Sequence, residues 1–275
     1  METMAPLEAV TKLSKDLKQA SILLTRNEAR YLTDAYYAMQ EDRKRSGNQV
    51  RALDGSGEPH ATLSWFFDQS STLEAQIRGA LNAWAENQRE GRWLMSITGI
   101  GPVISAGLLA HVDIERAPTV GHIWRFGGYD PTVVWEKGKK RPWNASLKTL
   151  LWKVGESFVK VSGNEKDVYG KVWLQRKELE VARNERLEFQ EQAAVGAARV
   201  RKTTEAYKHY AVGKLPPGHL HARAKRYAVK LFLSHYHHVL YLCKYGTPPP
   251  KPFIIEHGGH IHFIEPPNLE VLWKK

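Results

Sequence analysis

Apolar residues recur along this chain at intervals of three and four, the spacing that brings side chains onto one face of an α-helix. Leu13, Leu17, Ala20 and Leu24, followed by Tyr31, Leu32, Ala35, Tyr36 and Met39, predict helix over residues 6–46, with Asn27-Glu28 as a break or fresh start. Residues 46–61 contain Ser46-Gly47-Asn48 and Gly55-Ser56-Gly57-Glu58-Pro59, turn chemistry that predicts an exposed loop. Ser71-Thr72 then suits a helix cap, ahead of a stripe of Leu73, Ile77, Leu81 and Trp84 with Glu74 in the first turn.

Residues 92–110 predict a helix, a tight turn and a second helix, and residues 120–126 a short helix broken by Gly127-Gly128-Tyr129-Asp130-Pro131. From 132 to 141 the chain reads as a hairpin or irregular loop with Lys137-Gly138-Lys139-Lys140 at its tip. Asn144 or Ser146 starts the next helix, which carries Leu147, Leu150, Leu151 and Val154. Sparse apolar positions and dense charge from 171 to 211 predict one long polar helix able to project as an arm or hairpin. Pro216-Pro217-Gly218 stops it. Residues 219–245 are again helical, with Ala224, Ala228, Leu231 and either Phe232 or His235 on one face. Beyond Gly246, two apolar tetrads flanking Gly258-Gly259 (Pro252 to Ile255, then Ile261-His262-Phe263-Ile264) predict a small terminal β-hairpin.

The chain's 275 residues, 42% hydrophobic and 25% charged, suit a folded globular protein. Its apolar runs are far shorter than the ~20 residues a bilayer span needs, and the N-terminus lacks a signal-peptide layout. The expectation is a soluble, cytoplasmic protein without a membrane partner. The one cysteine, Cys243, closes no intramolecular disulfide and builds no thiolate metal site by itself.

Charge changes the picture more than composition does. Residues 1–90 hold 11 Lys/Arg against 13 Asp/Glu, net −2, and residues 91–275 hold the remaining 29 against 16, net +13. The basic character therefore begins just before the glycine turn of residues 98–102. Lys and Arg that neutralise phosphates release condensed counterions, so a polyanion is the expected partner: DNA first, RNA second.

In that turn, Thr98-Gly99-Ile100-Gly101-Pro102-Val103, the glycines permit backbone angles and approaches closed to other residues, and Pro102 suits a first helical position. The layout is that of a helix-hairpin-helix, whose outward amides at the hairpin and residues 103–105 would hold a phosphate oxygen without reading sequence. The contact residues expected here are Thr98, Gly99, Ile100, Gly101 and Val103. The same residues also suit a plain tight turn between packed helices.

From Ile97 to about Val161 the order of motifs is Gly-Ile-Gly-Pro, a small-residue helix ending Leu108-Leu109-Ala110, Phe126-Gly127-Gly128-Tyr129-Asp130-Pro131, a basic loop, and Asn144-Ala145-Ser146-Leu147-Lys148-Thr149-Leu150-Leu151. This stretch, roughly a quarter of the chain, resembles the C-terminal domain of Piv/MooV-type invertases and related insertion-sequence transposases. The resemblance implies a recombinase whose serine nucleophile lies in this domain, paired with an N-terminal RuvC-like domain whose carboxylates hold metal. Here the first 90 residues read as helical instead of as that α/β domain. The family serine aligns near Lys139, Lys140 and Arg141, where no serine stands; Ser146 is the nearest hydroxyl and the weak catalytic candidate, with a helix N-terminal hydroxyl as its plainer reading.

Other constellations extend the basic footprint. Trp135, Trp143 and Trp152 interleave with Lys137, Lys139, Lys140, Arg141, Lys148 and Lys153, so that lysines would meet phosphates while an exposed indole stacks on a base. Residues 199–230 contain nine Lys/Arg and one acid, Glu205. Arg199, Arg201, Lys202, Arg223, Lys225, Arg226 and Lys230 are assigned to a second backbone-contacting strip. Nine of the twelve histidines lie from His209 to His262. His219, His221, His257, His260 and His262 are the weak metal candidates, against the plainer reading of packing and polar bonding. Asp113, Glu115 and Asp130 are the acids near the turn and form no recognisable nuclease set, and Asp130 suits a turn before Pro131.

These readings combine into a mainly α fold: a helical bundle with a helix-hairpin-helix module, a long and projecting helix, and a small C-terminal β-hairpin. Four regions are expected: 1–90 helical, 91–165 the transposase-like domain, 166–245 long, basic and helical, and 246–275 a Pro-rich tail. The expected function is nucleic-acid binding by backbone grip, without catalysis, in a protein related to mobile-element recombinases. No cofactor is expected, with a divalent metal as the exception. The alternatives are an active transposase, invertase or metal-dependent nuclease, and an adaptor or inhibitor that binds an acidic protein or nucleoprotein partner; a homodimer or a protein partner is the further option beside nucleic acid.

Overall fold

A computed structural model describes residues 15–58, 60–250 and 263–273, and among them it has eleven α-helices, two short 3-10 helices and no strand. The chain divides into two units, one of residues 1–95, 101–113 and 270–275, the other of 96–100 and 114–269.

The first unit begins with α1 (Lys15–Ile22) and α2 (Arg26–Ser56). The break between them falls at Thr25, slightly before the predicted Asn27-Glu28. There a reciprocal capping box forms: the Glu28 amide donates to the Thr25 hydroxyl (3.2 Å), and the Thr25 amide donates to the Glu28 carboxylate (2.7 Å). The exposed loop expected over 46–61 is instead mostly helix, since α2 runs through Gly47 and Gly55 and ends at Gly57 in the left-handed region (φ 71°). Gly47 is selected by packing: a Cβ there would lie 2.9 Å from the Phe67 ring of α3 (Ala61–Glu86). That contact, with Arg43 paired to the nearly buried Glu74 (2.5 Å) and Ser70 donating to Asp42 (2.6 Å), makes α2 and α3 an antiparallel hairpin. Ser71 and Thr72, expected as caps, lie mid-helix and return their hydroxyls to the carbonyls of Phe67 and Asp68. Ile77, Leu81 and Trp84 face the core as the periodicity predicts. Helices α4 (Arg89–Ser96) and α5 (Pro102–His111) complete the unit; α5 is buried over nearly its whole length.

The second unit is built around α11 (Pro217–Tyr245). Ala224, Ala228, Phe232 and His235 are buried along it, as the periodicity predicts, together with Val229, Leu233 and Tyr236, while Leu231 is only half-buried. Against α11 pack α6 (Val120–Phe126), α7 (Ala145–Val161) and α8 (Tyr169–Glu185). The Phe158 and Tyr169 rings stack at 4.9 Å, and each meets Phe232 edge-on. Asn144 caps α7 by accepting from the Leu147 amide (2.8 Å), as expected.

The single long helix expected over 171–211 is three: α8, α9 (Gln190–Arg199) and α10 (Glu205–Ala211). The first break passes through Leu187, whose φ is 61°. The second passes through 200–204, where Thr204 caps α10. The breaks are stabilised by a satellite core of Phe189, Ala193, Leu215 and Leu220 with Tyr210 packed on it. The buried Asn184 amide holds the returning chain, donating to the Leu215 carbonyl (3.1 Å) and accepting from its amide (2.8 Å). The predicted terminal hairpin lies almost wholly outside the described residues; Phe263 and Ile264 belong to no strand among the described residues.

Candidate nucleic-acid interface

The glycine turn is anchored from beneath. Gly99 has φ 94°, which favours glycine, and its carbonyl accepts from the Ser157 hydroxyl of α7 (2.5 Å). A Cβ on Gly99 would lie 3.1 Å from the Val161 side chain. Thr98 donates to the Lys166 carbonyl (3.3 Å). Ile100 and Val103 are core residues, 4% and 6% exposed, so their side chains make no surface for a ligand. Gly101 is exposed and precedes α5 without a side-chain cap. The Ser105 amide, expected to face outward, donates within the helix to the Gly101 carbonyl (3.0 Å).

The cations of the second unit are held largely by aromatic faces. Lys148 on α7 places Nζ 3.8 Å above the Trp143 ring, Lys230 on α11 places Nζ 4.1 Å from the Trp124 ring centre on α6, and the Arg141 guanidinium stands 5.8 Å from the Trp135 ring. Gly128 is the seat of the first pair. Its φ is 71°, and a Cβ on it would come within 3.0 Å of both Lys148 Cδ and Trp143 Cγ. The adjoining strap is tied down by the Asn144 amide, which donates to the Phe126 carbonyl (2.8 Å), and by the Tyr129 amide, which donates to the Trp124 carbonyl (2.7 Å).

Lys148 feels the charge of two other cations. Partial burial holds the Lys148 ammonium below the usual lysine range, and Arg141 and Arg226 push it the same way. Burial likewise lowers Lys230, opposed by Asp130. Burial raises the Tyr129 hydroxyl, opposed by Arg226. Among the described residues, Arg125, Arg141, Lys148, Arg226 and Lys230 have no carboxylate within ion-pair distance. Asp130, whose charge bears on Arg125 and Lys230, is engaged as a turn residue, accepting from the Thr132 amide (2.9 Å) and hydroxyl (2.7 Å).

Other expected contact residues are placed differently. Lys137, Lys139 and Lys140 are exposed on an irregular loop, with Lys139 paired to Glu136 (2.8 Å) and the Trp135 indole donating to the Lys139 carbonyl (2.7 Å). Arg199, Arg201 and Lys202 are exposed around the end of α9. Arg223 is engaged within the fold, donating to the buried Glu180 (2.9 Å), which also accepts from Arg176 (2.8 Å). Lys225 pairs with Glu156.

Ser146 is exposed in the first turn of α7, and among the described residues no hydrogen bond reaches its hydroxyl. His219 approaches the Tyr210 hydroxyl (3.5 Å) and His221 meets the Trp173 edge. Two residues apart on one helix, they do not converge on a common point, and no group of three metal-ligating side chains gathers among the described residues. His257, His260 and His262 lie outside the described residues.

Trp124, Tyr129 and Ser157 escaped the sequence reading. Trp124 sits in a short apolar helix with no basic neighbour except Arg125, and its partner Lys230 comes from 106 residues away. Only the fold joins them.

No curated protein and no solved structure matches the chain. Among the described residues no helix is long and apolar enough to cross a membrane. Residues 91–167, from α4 through α7 and including Gly128, Arg141, Trp143 and Lys148, match the model of the Transposase IS116/IS110/IS902 family, so this stretch is a transposase-family domain.

Proposed function

We propose that this chain binds nucleic acid, DNA before RNA, by gripping the phosphate backbone with the second unit, and that it does so without strand chemistry of its own. The observation that carries the reading is the group of cations set on tryptophan faces instead of carboxylates. A cation over an indole is positioned but not neutralised, so its N–H donors stay available to an anion. The exposed lysines of the 137–140 loop and the cations around 199–202 extend the same footprint. The glycine turn contributes as scaffold through Ser157, and the free backbone amides near Gly101 remain its one route to a phosphate.

A serine nucleophile is activated by a base within hydrogen-bond reach, so the reading without strand chemistry stands or falls on whether Ser146 matters to any product.

The test is fluorescence-anisotropy binding to a labelled duplex, with cleavage and strand transfer followed in the same samples with and without magnesium. Lys148→Gln and Lys230→Gln should each weaken binding several-fold, whereas Lys44→Gln in the first unit, where Lys44 pairs with Glu41 (2.9 Å), should not. Ser146→Ala should leave every readout unchanged. Equal binding by all variants would refute the assignment, and metal-dependent products lost in Ser146→Ala would establish the enzyme instead.

A further inference from the structure

The three tryptophans interleaved with lysines are used differently by the fold. The Trp135 indole donates to the Lys139 carbonyl (2.7 Å), and Trp143 is half-buried with Lys148 over its ring. Trp152, midway along α7, is 55% exposed. A single exposed indole is ordinary by itself. What distinguishes Trp152 is that it is braced. Gly155, on the same helix, is buried, and a Cβ there would lie 2.7 Å from Lys225 Cγ and 3.0 Å from Lys225 Cδ. Without that Cβ the Lys225 stem, on α11, lies against α7, where its ammonium pairs with Glu156 and stands 5.4 Å from the centre of the Trp152 ring. The Lys225 side chain is only 13% exposed, so it supports the ring from the protein side and leaves the rest of the indole to solvent.

Lys148 precedes Trp152 by one turn of α7, and residues four apart on a helix are neighbours, about 5–6 Å between Cβ atoms. The Lys148 ammonium is itself held, 3.8 Å from the Trp143 ring centre. A braced aromatic surface thus stands beside a positioned cation, the two elements that hold a single strand: a base stacked on a ring and a phosphate on a positive charge. In a duplex both faces of each interior base are already stacked, so the ring adds nothing there and the cation acts alone.

We propose that Trp152, braced by Lys225 over Gly155, is a stacking platform for an unpaired base, with Lys148 on the adjoining phosphate, so that the second unit favours single-stranded DNA over duplex. The inference rests on the nucleic-acid reading above and deepens it: the cations supply the grip, and Trp152 supplies the preference for an unpaired strand.

The probes are a labelled single-stranded oligonucleotide, the same strand with its bases removed and every phosphate kept, and the corresponding duplex, each titrated with the full chain by fluorescence anisotropy. One stacked base corresponds to about fivefold to a hundredfold in affinity, so the wild type should bind the intact strand at least about fivefold more tightly than the abasic strand. That comparison needs no variant. Trp152→Ala should bring the intact strand down to the affinity of the abasic one while leaving the abasic strand and the duplex unchanged, and Trp152→Phe, which keeps a ring, should retain part of the difference. Equal binding of intact and abasic strands by the wild type, or an equal loss on all three probes in Trp152→Ala, would overturn the stacking platform and leave the backbone grip standing. No binding of any probe would overturn both. A changed oligomeric state of Trp152→Ala by light scattering, with strand binding unaltered, would make the indole a contact between copies of the chain and overturn the platform.

Discussion

At the scale of single residues, Gly128 and His235 carry the most specific expectations. Gly128 combines a positive φ with a seat for two side chains, so Gly128→Ala is strained in backbone and displaces Lys148 or Trp143. We expect a stability loss of about 1–2 kcal/mol from the left-handed backbone and a several-fold fall in DNA affinity, read by thermal denaturation and anisotropy; unchanged affinity would detach Lys148 from binding. His235 is buried between the Tyr169 hydroxyl (2.8 Å) and the Ile264 carbonyl (2.9 Å). A carbonyl only accepts, so Nε2 bears the proton and Nδ1 accepts from tyrosine. Burial lowers the His235 pKa to about 4, against the hydrogen bond to Ile264, which raises it. The unfolded histidine, near ~6.5, therefore binds a proton first as pH falls. Stability is full above the unfolded value and declines from there toward pH 4, by on the order of 3 kcal/mol. Denaturant midpoints measured from pH 7.5 to 4 should show this decline, and His235→Gln should flatten it. Some of this was legible in the chain: Gly127-Gly128 announced a special turn, and the plain reading of histidines as packing residues is met by His235. What the glycine supports was not, because Trp143 and Lys148 reach it only after α7 has folded.

At the scale of elements, the chain marked α4 through α7 and α11 well, because α4, α7 and α11 have an apolar face, α5 is apolar nearly all round, and turn or cap residues bound them. It misjudged 46–61 and 171–211 for opposite reasons. Gly47 and Gly55 look like breakers, yet helix α2 continues through both because Gly47 lets the Phe67 ring close against it. In 171–211 no glycine or proline marks the first break; Leu187 adopts the left-handed region so that Phe189 can turn inward. A long-range core overrides local propensity in both places. Leu187→Gly accordingly should stabilise the second unit, by about 0.5–1 kcal/mol, since it relieves a backbone conformation costly for a branched side chain. Were 183–191 a continuous helix in solution, the same substitution would destabilise the protein, and chemical denaturation separates the two signs.

At the scale of the whole molecule, the charge asymmetry was the most durable signal. Its sign and position were readable directly, because net charge is indifferent to fold. Which cations are free was not: Arg223 and Lys225, assigned to contact from their place in a basic run, are engaged by Glu180 and Glu156, while Arg125, given no role from the sequence, is exposed with no carboxylate in ion-pair distance among the described residues. The matched family stretch supplies Gly128, Arg141, Trp143 and Lys148, and α11, beyond it, supplies Arg226 and Lys230. The central claim is thus that cations from both stretches act together on a phosphate backbone. The most direct measurement is the salt dependence of duplex-DNA affinity. Each neutralised phosphate contributes a slope of about −0.9 in log K against log salt, so several contacts predict a slope of about −3 or steeper, shallower by about one for Lys148→Gln and again for Lys230→Gln. A flat salt dependence, or a slope that neither substitution changes, would contradict the account.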